Sequence, residues 1–208
     1  MNNYILISII LCYCLLIASF VYGASNKRIR QNNKGRLYLL YLGFIISIET
    51  TSLFSIYILE FKNTQFIYPF YISGEFLILI NLFLEVLKPS KSWNVIKWIL
   101  TCLIFFESTL LWFIQNDATT GYGKIVSHLM IISFAAILLL KNMKELEKND
   151  PLSTIYASLF LYYGVSLFLF LIINQLTEMN ISIWTINNIL SSILYGSFLL
   201  TFYNLKRC

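Results

Sequence analysis

The stretch YILISIILCYCLLIASFVYGASNKRIRQNNKGR, residues 4–36, holds twenty uncharged residues, Tyr4 to Gly23, and then five basic ones: Lys27, Arg28, Arg30, Lys34 and Arg36. A hydrocarbon core of about 30 Å takes roughly 20 helical residues, so the apolar part is one membrane crossing in length. Val21-Tyr22-Gly23 before Ala24 resembles a signal-peptidase site. A signal peptide, however, carries its basic residues ahead of the apolar run, and here only Asn2 and Asn3 precede it. The stretch predicts a retained first helix with its N-terminus outside.

Working outward, the same alternation of apolar run and polar gap continues to the end of the chain. It predicts seven helices, over about 4–23, 37–59, 67–87, 95–115, 122–140, 152–174 and 183–204. Thirteen of the 15 Lys and Arg residues fall in alternate gaps: five in the first, then Lys88, Lys91 and Lys97, then Lys141, Lys144 and Lys148, then Lys206 and Arg207 in the tail. Only Lys62 and Lys124 fall in the other gaps. Basic residues are retained on the cytoplasmic side, so the expected fold is an all-α polytopic integral membrane protein with the N-terminus outside and the C-terminus cytoplasmic. Trp93, Trp98, Trp112 and Trp184 all fall near predicted helix ends, as interfacial indoles do. Pro69 suits a first helical turn, Pro89 a helix stop, Ser90 or Ser92 a cap for the fourth helix, and Asp150-Pro151 the start of the sixth. The fifth helix is expected to continue past the membrane through Lys148, with Lys141 and Glu145 paired four residues apart. No internal repeat or linker is visible, and the chain reads as a single domain over residues 1–208.

Composition agrees. With 58% hydrophobic and 12% charged residues in 208, and a mean hydropathy of +0.73, there are too few charges to coat a soluble globule and no length left for one. The net charge of +5 sits beside membrane ends rather than on one face, which argues against nucleic acid and for anionic lipid at the cytoplasmic surface. Cys12, Cys14 and Cys102 lie inside apolar runs and Cys208 ends the chain, so no structural disulfide is expected. Frequent Ile, Leu, Asn, Lys, Tyr and Phe fit an AT-rich bacterial genome and an inner-membrane location.

Three carboxyls need explaining: Glu49, Glu75 and Glu107, each near the middle of a predicted span, with no Lys or Arg expected at their depth. A charge at the bilayer centre costs roughly 3 kcal/mol or more on insertion scales, so such residues face a bundle interior or a wet cavity. They are candidates to bind a ligand or ion, or else to hydrogen-bond neighbouring hydroxyls such as Thr50, Thr51, Ser52, Ser73, Ser108 and Thr109 and fix helix packing. Tyr68, Tyr71 and Glu75 recur at helical spacing and line one face of the third helix. Asn187, Ser191 and Tyr195 repeat every four residues on the seventh, and Asn174 and Gln175 close the sixth on the same side, which together suggests an outward polar vestibule.

His128 is the single histidine, no metal-ligand spacing is present, and neither a metal nor another cofactor is expected. Nucleophile-elbow, glycine-rich phosphate-loop and paired-cysteine motifs are absent, which argues against an enzyme. The seventh helix has no Lys before Lys206, which excludes a Schiff-base chromophore at membrane depth. The reading that follows is a seven-helix sensor or small-ligand-binding protein acting with a cytoplasmic or membrane protein partner, on its own or as a homo-oligomer. A proton- or cation-coupled transporter or channel using the midplane glutamates is the alternative, and an intramembrane lipid-modifying enzyme the third.

Overall fold

The computed structural model describes residues 3–61, 63–144, 152–173 and 181–207, and these are helical with short turns and no strand. In chain order the helices are α1 (Asn3–Ser25), α2 (Lys27–Gln31), α3 (Asn33–Tyr57), a 3-10 turn at Gln65–Ile67, α4 (Tyr68–Leu87), α5 (Ser92–Gln115), α6 (Gly123–Lys144), α7 (Ser153–Ile173) and α8 (Ile181–Arg207). All but α2 and the 3-10 turn are long and apolar enough to cross a membrane, which makes seven spans. The expected extension to Lys148 with its Lys141–Glu145 pair, the Asp150-Pro151 cap, Asn174, Gln175, Lys62 and Cys208 lie outside the described residues.

Two expectations about helix ends change. The first basic gap is itself helical: Asn26 Oδ1 accepts the Arg28 N–H at 3.1 Å to start α2, and Asn32 Oδ1 accepts the Lys34 N–H at 3.0 Å to start α3. That is why α3 begins at Asn33, ahead of the expected 37. At α5 neither serine side chain caps. The first turn is closed by backbone instead, Trp93 N–H to the Ser90 carbonyl and Asn94 N–H to the Lys91 carbonyl, both at 3.1 Å.

The described chain divides into two compact units, Met1–Leu39 with Ile131–Cys208, and Leu40–Met130. In the first, α8 packs against α1 and α7. Ser19 Oγ donates to the Tyr195 carbonyl at 2.7 Å, Asn188 Nδ2 donates to Ser8 Oγ at 3.2 Å, and the Tyr38 and Phe198 rings meet edge-on at 5.4 Å. Small residues let these backbones approach, as is usual where lipid offers no hydrophobic drive for association. Gly23 is such a place, since a Cβ there would lie 2.6 Å from Leu39 Cδ2 and 2.7 Å from Phe202 Cε2.

In the second unit α4 and α5 form an antiparallel hairpin. Pro89 follows a C-terminal Lys88 in the left-handed conformation, φ 47°, whose N–H closes on the Leu84 carbonyl at 2.9 Å. α4 is the most buried of the seven spans, with Phe76, Leu79, Ile80, Leu82 and Phe83 fully enclosed. By contrast α5 presents Val95, Ile99, Leu103, Phe106, Leu110 and Phe113, each more than half exposed and spaced three or four residues apart. At about 25 cal/mol per Å2 of apolar surface, a continuous stripe of this kind is stable in acyl chains and costly in water.

The α2–α3 turn supplies a test of close packing. Gly35 is buried, and a Cβ there would lie 2.5 Å from the Ile29 carbonyl oxygen, a backbone atom that cannot rotate away. Gly35→Ala gains about 1 kcal/mol of helix propensity but overpacks at a cost of about 1–3 kcal/mol. A lower thermal midpoint in detergent is therefore expected, and an unchanged or raised one would show that the turn is not closely packed.

Candidate functional site

The 3-10 turn Gln65–Ile67 leads directly into α4, whose first turn holds Pro69 where a missing N–H costs no helical hydrogen bond. From there Tyr68, Tyr71 and Glu75 rise along one face of α4 in two turns. Glu75 is only 1% exposed. Its Oε1 accepts the Tyr71 hydroxyl at 3.3 Å and the Tyr41 hydroxyl, from α3, at 3.4 Å. Both contacts are longer than the 2.5–3.0 Å of ordinary O–H···O bonds, so the two phenols hold the carboxyl loosely. The Tyr68 ring stands 6.3 Å from that of Tyr71. The Tyr68 hydroxyl is buried and has no hydrogen-bond partner among the described residues, and the same holds for the Gln65 side-chain oxygen three residues before it.

The electrostatic surroundings come from three further segments. Tyr68 lies within Coulombic reach of Glu75, Asp117 and Glu107. Lys124, half-buried in the first turn of α6, lies within reach of Glu75, and it acts in turn on His128, which hydrogen-bonds the Lys124 backbone. Lys124 thus adds to the surroundings of Glu75 a cation that the sequence reading did not count.

Glu107 has a different task. Its Oε1 accepts the Tyr122 backbone N–H at 2.8 Å. A Cβ on Gly123 would lie 2.7 Å from the other carboxyl oxygen, and one on Gly121 would lie 3.2 Å from Oε1. The two glycines thus leave the carboxyl room to anchor the turn that delivers Lys124. Asp117 shapes the same turn, accepting the Thr119 N–H at 2.9 Å and its hydroxyl at 2.6 Å. Glu49 stands two turns beyond Tyr41 on α3, partly exposed.

Four of the hydroxyls expected to serve the glutamates donate to backbone instead. Thr50 donates to the Ile46 carbonyl at 2.8 Å, Thr51 to Ser47 at 2.7 Å, Ser73 to Pro69 at 2.6 Å and Thr109 to Phe105 at 2.7 Å. On α8, in the other unit, Ser191 donates to the Asn187 carbonyl at 3.0 Å, and the Tyr195 carbonyl receives Ser19. That strip is engaged in holding its own helix and α1.

The structure therefore gathers Tyr68, Tyr71 and Glu75 from the expected residues and adds Tyr41, Lys124 and His128. Tyr41 is 34 residues from Glu75, and no local pattern connects them. Lys124 did carry a signal, as one of two basic residues that break the charge alternation. Among the described residues no three His, Cys, Asp or Glu side chains group as a metal site.

The fold is that of a multi-pass membrane protein with seven spans. No protein-family model matches the chain, and no curated protein or solved structure is detectably similar to it.

Glu107→Ala should destabilise the protein by about 1 kcal/mol, the usual net contribution of one intramolecular hydrogen bond. Glu107→Gln keeps an oxygen acceptor and should cost less. Thermal unfolding in detergent reads both, and equal midpoints for wild type and Glu107→Ala would remove the anchoring role.

Proposed function

We propose that the chain is a membrane sensor that binds a small polar ligand at the Glu75 ring and passes occupancy to a protein partner at its basic face. One observation carries this reading: a buried Tyr68 hydroxyl with no hydrogen-bond partner among the described residues, beside a carboxyl that two other phenols hold only loosely. Buried polar groups are normally satisfied, and a cluster with capacity left over suits a guest that completes it. Glu75 lies seven residues into α4, about 10 Å from the helix start at 1.5 Å per residue, so the ring is within reach of that membrane surface.

Lys124 sets the ligand class. A site of carboxyls alone would select a cation, but here an ammonium already acts on Glu75. The balanced pair favours a neutral or zwitterionic molecule whose own donor and acceptor meet the carboxyl, the lysine and the Tyr68 hydroxyl. Proton-coupled transport is a second reading, and it draws on a separate feature: Glu75, Lys124 and His128 form a succession of protonatable groups, each within electrostatic reach of the next.

The charge alternation supports an outside N-terminus and a cytoplasmic C-terminus in a bacterial inner membrane. With that orientation the Glu75 ring opens outward and the basic turns face the cytoplasm.

In a background without native cysteines, a membrane-impermeant maleimide applied to intact cells should label Asp117→Cys and leave Ser90→Cys unlabelled. The reverse pattern would invert the topology. For the ring, a thermal-shift panel of neutral and zwitterionic small solutes on the purified protein should yield at least one stabilising compound. Its effect should fall about tenfold in apparent affinity in Tyr68→Phe, and further in Glu75→Gln, as expected for loss of one and then several polar contacts. Undiminished stabilisation in both variants would exclude the ring as the site. Proteoliposomes that take up solute under a pH gradient, and lose uptake in Glu75→Gln, would establish the transport reading.

A further inference from the structure

The opposite end of α4 carries a second polar feature that the Glu75 ring does not involve. Where α4 turns into α5, a cavity of about 280 Å3 is lined by Asn81, Glu85, Lys88, Trp93 and Lys97, among others. That is near the roughly 300 Å3 lower end of pockets that hold small ligands. Its charged groups are arranged without cancelling one another. Lys97 is half-buried and donates from Nζ to the Asn81 side-chain oxygen across the hairpin, which fixes the ammonium at the cavity wall. Glu85 and Lys88 form no ion pair among the described residues, although three residues on a helix would allow one. Lys88 sits instead in the left-handed conformation at φ 47°, unusual for a residue with a side chain, which sends it off the helical path.

We propose that this cavity binds the headgroup of an aminophospholipid: a phosphate diester between Lys97 and Lys88, with the primary ammonium on Glu85. Two lysines lining one cavity suit a phosphate through charge-assisted hydrogen bonds. Glu85 makes the pocket poor for a purely anionic headgroup and good for one that carries its own cation. A primary ammonium offers the hydrogen bonds that the carboxylate accepts, whereas a trimethylammonium offers none and is bulkier. The lipid is favoured over a soluble phosphate ester by location. The cavity lies at the ends of two membrane spans, beside an indole of the kind that marks headgroup level, and next to the exposed apolar α5 face beginning at Val95, along which acyl chains can run. The inference is independent of the Glu75 ring.

The full-length protein in detergent, titrated with phosphatidylethanolamine, phosphatidylcholine and phosphatidylglycerol of matched acyl chains and followed by native mass spectrometry, tests it. Phosphatidylethanolamine should bind at least about fivefold more tightly than either of the others. Lys97→Gln should weaken all three by about tenfold, the scale of one charged hydrogen bond. Glu85→Gln should abolish the preference for phosphatidylethanolamine while leaving phosphatidylglycerol bound. Because Lys97 also ties the hairpin together through Asn81, Lys88→Gln on the exposed turn serves as a second variant and should weaken binding without lowering the lipid-free melting temperature. Equal affinity for the three lipids, or a preference that survives Glu85→Gln, would overturn the proposal. So would displacement of the lipid by soluble O-phosphoethanolamine or inorganic phosphate at comparable concentration, which would assign the pocket to a soluble ligand.

Discussion

Hydrocarbon offers no hydrogen-bond partner, and the arrangement of polar groups in this protein follows from that. An unbonded hydroxyl or amide in an alkane-like medium is disfavoured by roughly 4–8 kcal/mol, far more than the slight bending a back-bonded serine imposes on a helix. Ser47, Thr50, Thr51 and Ser55 on α3, Ser73 on α4, Thr101 and Thr109 on α5, and Ser191 and Ser192 on α8 accordingly donate to carbonyls one turn earlier on their own helices. These short hydroxyls are used up locally. A buried carboxyl must then look to longer side chains, and Glu75 finds Tyr41 on α3 and Tyr71 one turn earlier on its own helix. The phenol-rich character of the ring is in this sense a consequence of the solvent.

The same constraint separates the roles of α4 and α5. Both are largely apolar by composition, yet α4 buries most of its aromatic and branched residues while α5 exposes a stripe from Val95 to Phe113. Lipid and protein interior are equally acceptable to Leu or Phe, so hydrophobicity alone does not decide which helix lies inside. Polar residues do. Glu75 and Asn81 find protein partners and hold α4 in the interior, whereas the carboxyl of α5, Glu107, is taken up by the Tyr122 backbone N–H in the turn that follows.

How much of this was legible in the sequence depends on distance along the chain. Helix positions are local: a run of twenty uncharged residues against a basic gap is readable anywhere, and seven spans are found. The helical face of Tyr68, Tyr71 and Glu75 is also local, because spacings of three and four suffice. Helix ends are less so, since α2 exists through Asn26 and Asn32 acting as caps inside what composition presents as a loop. Tyr41 at Glu75 is not local at all. Its selection from 14 tyrosines rests on the packing of α3 against α4, and no single-chain pattern records it.

Lys124 is the instructive exception. The charge alternation treats it as one of two residues out of place, and an insertion rule that tolerates exceptions gives no reason to pursue it. Physically the exception has a cause. A lysine in the first turn of a span can stay solvated at the surface, yet this one is half-buried within reach of Glu75, on a turn held by Glu107 and made close-fitting by Gly121 and Gly123. Its ammonium therefore belongs to the electrostatic surroundings of Glu75. A basic residue out of step with the topological rule is for that reason a pointer to a polar site, alongside the carboxyls at membrane depth.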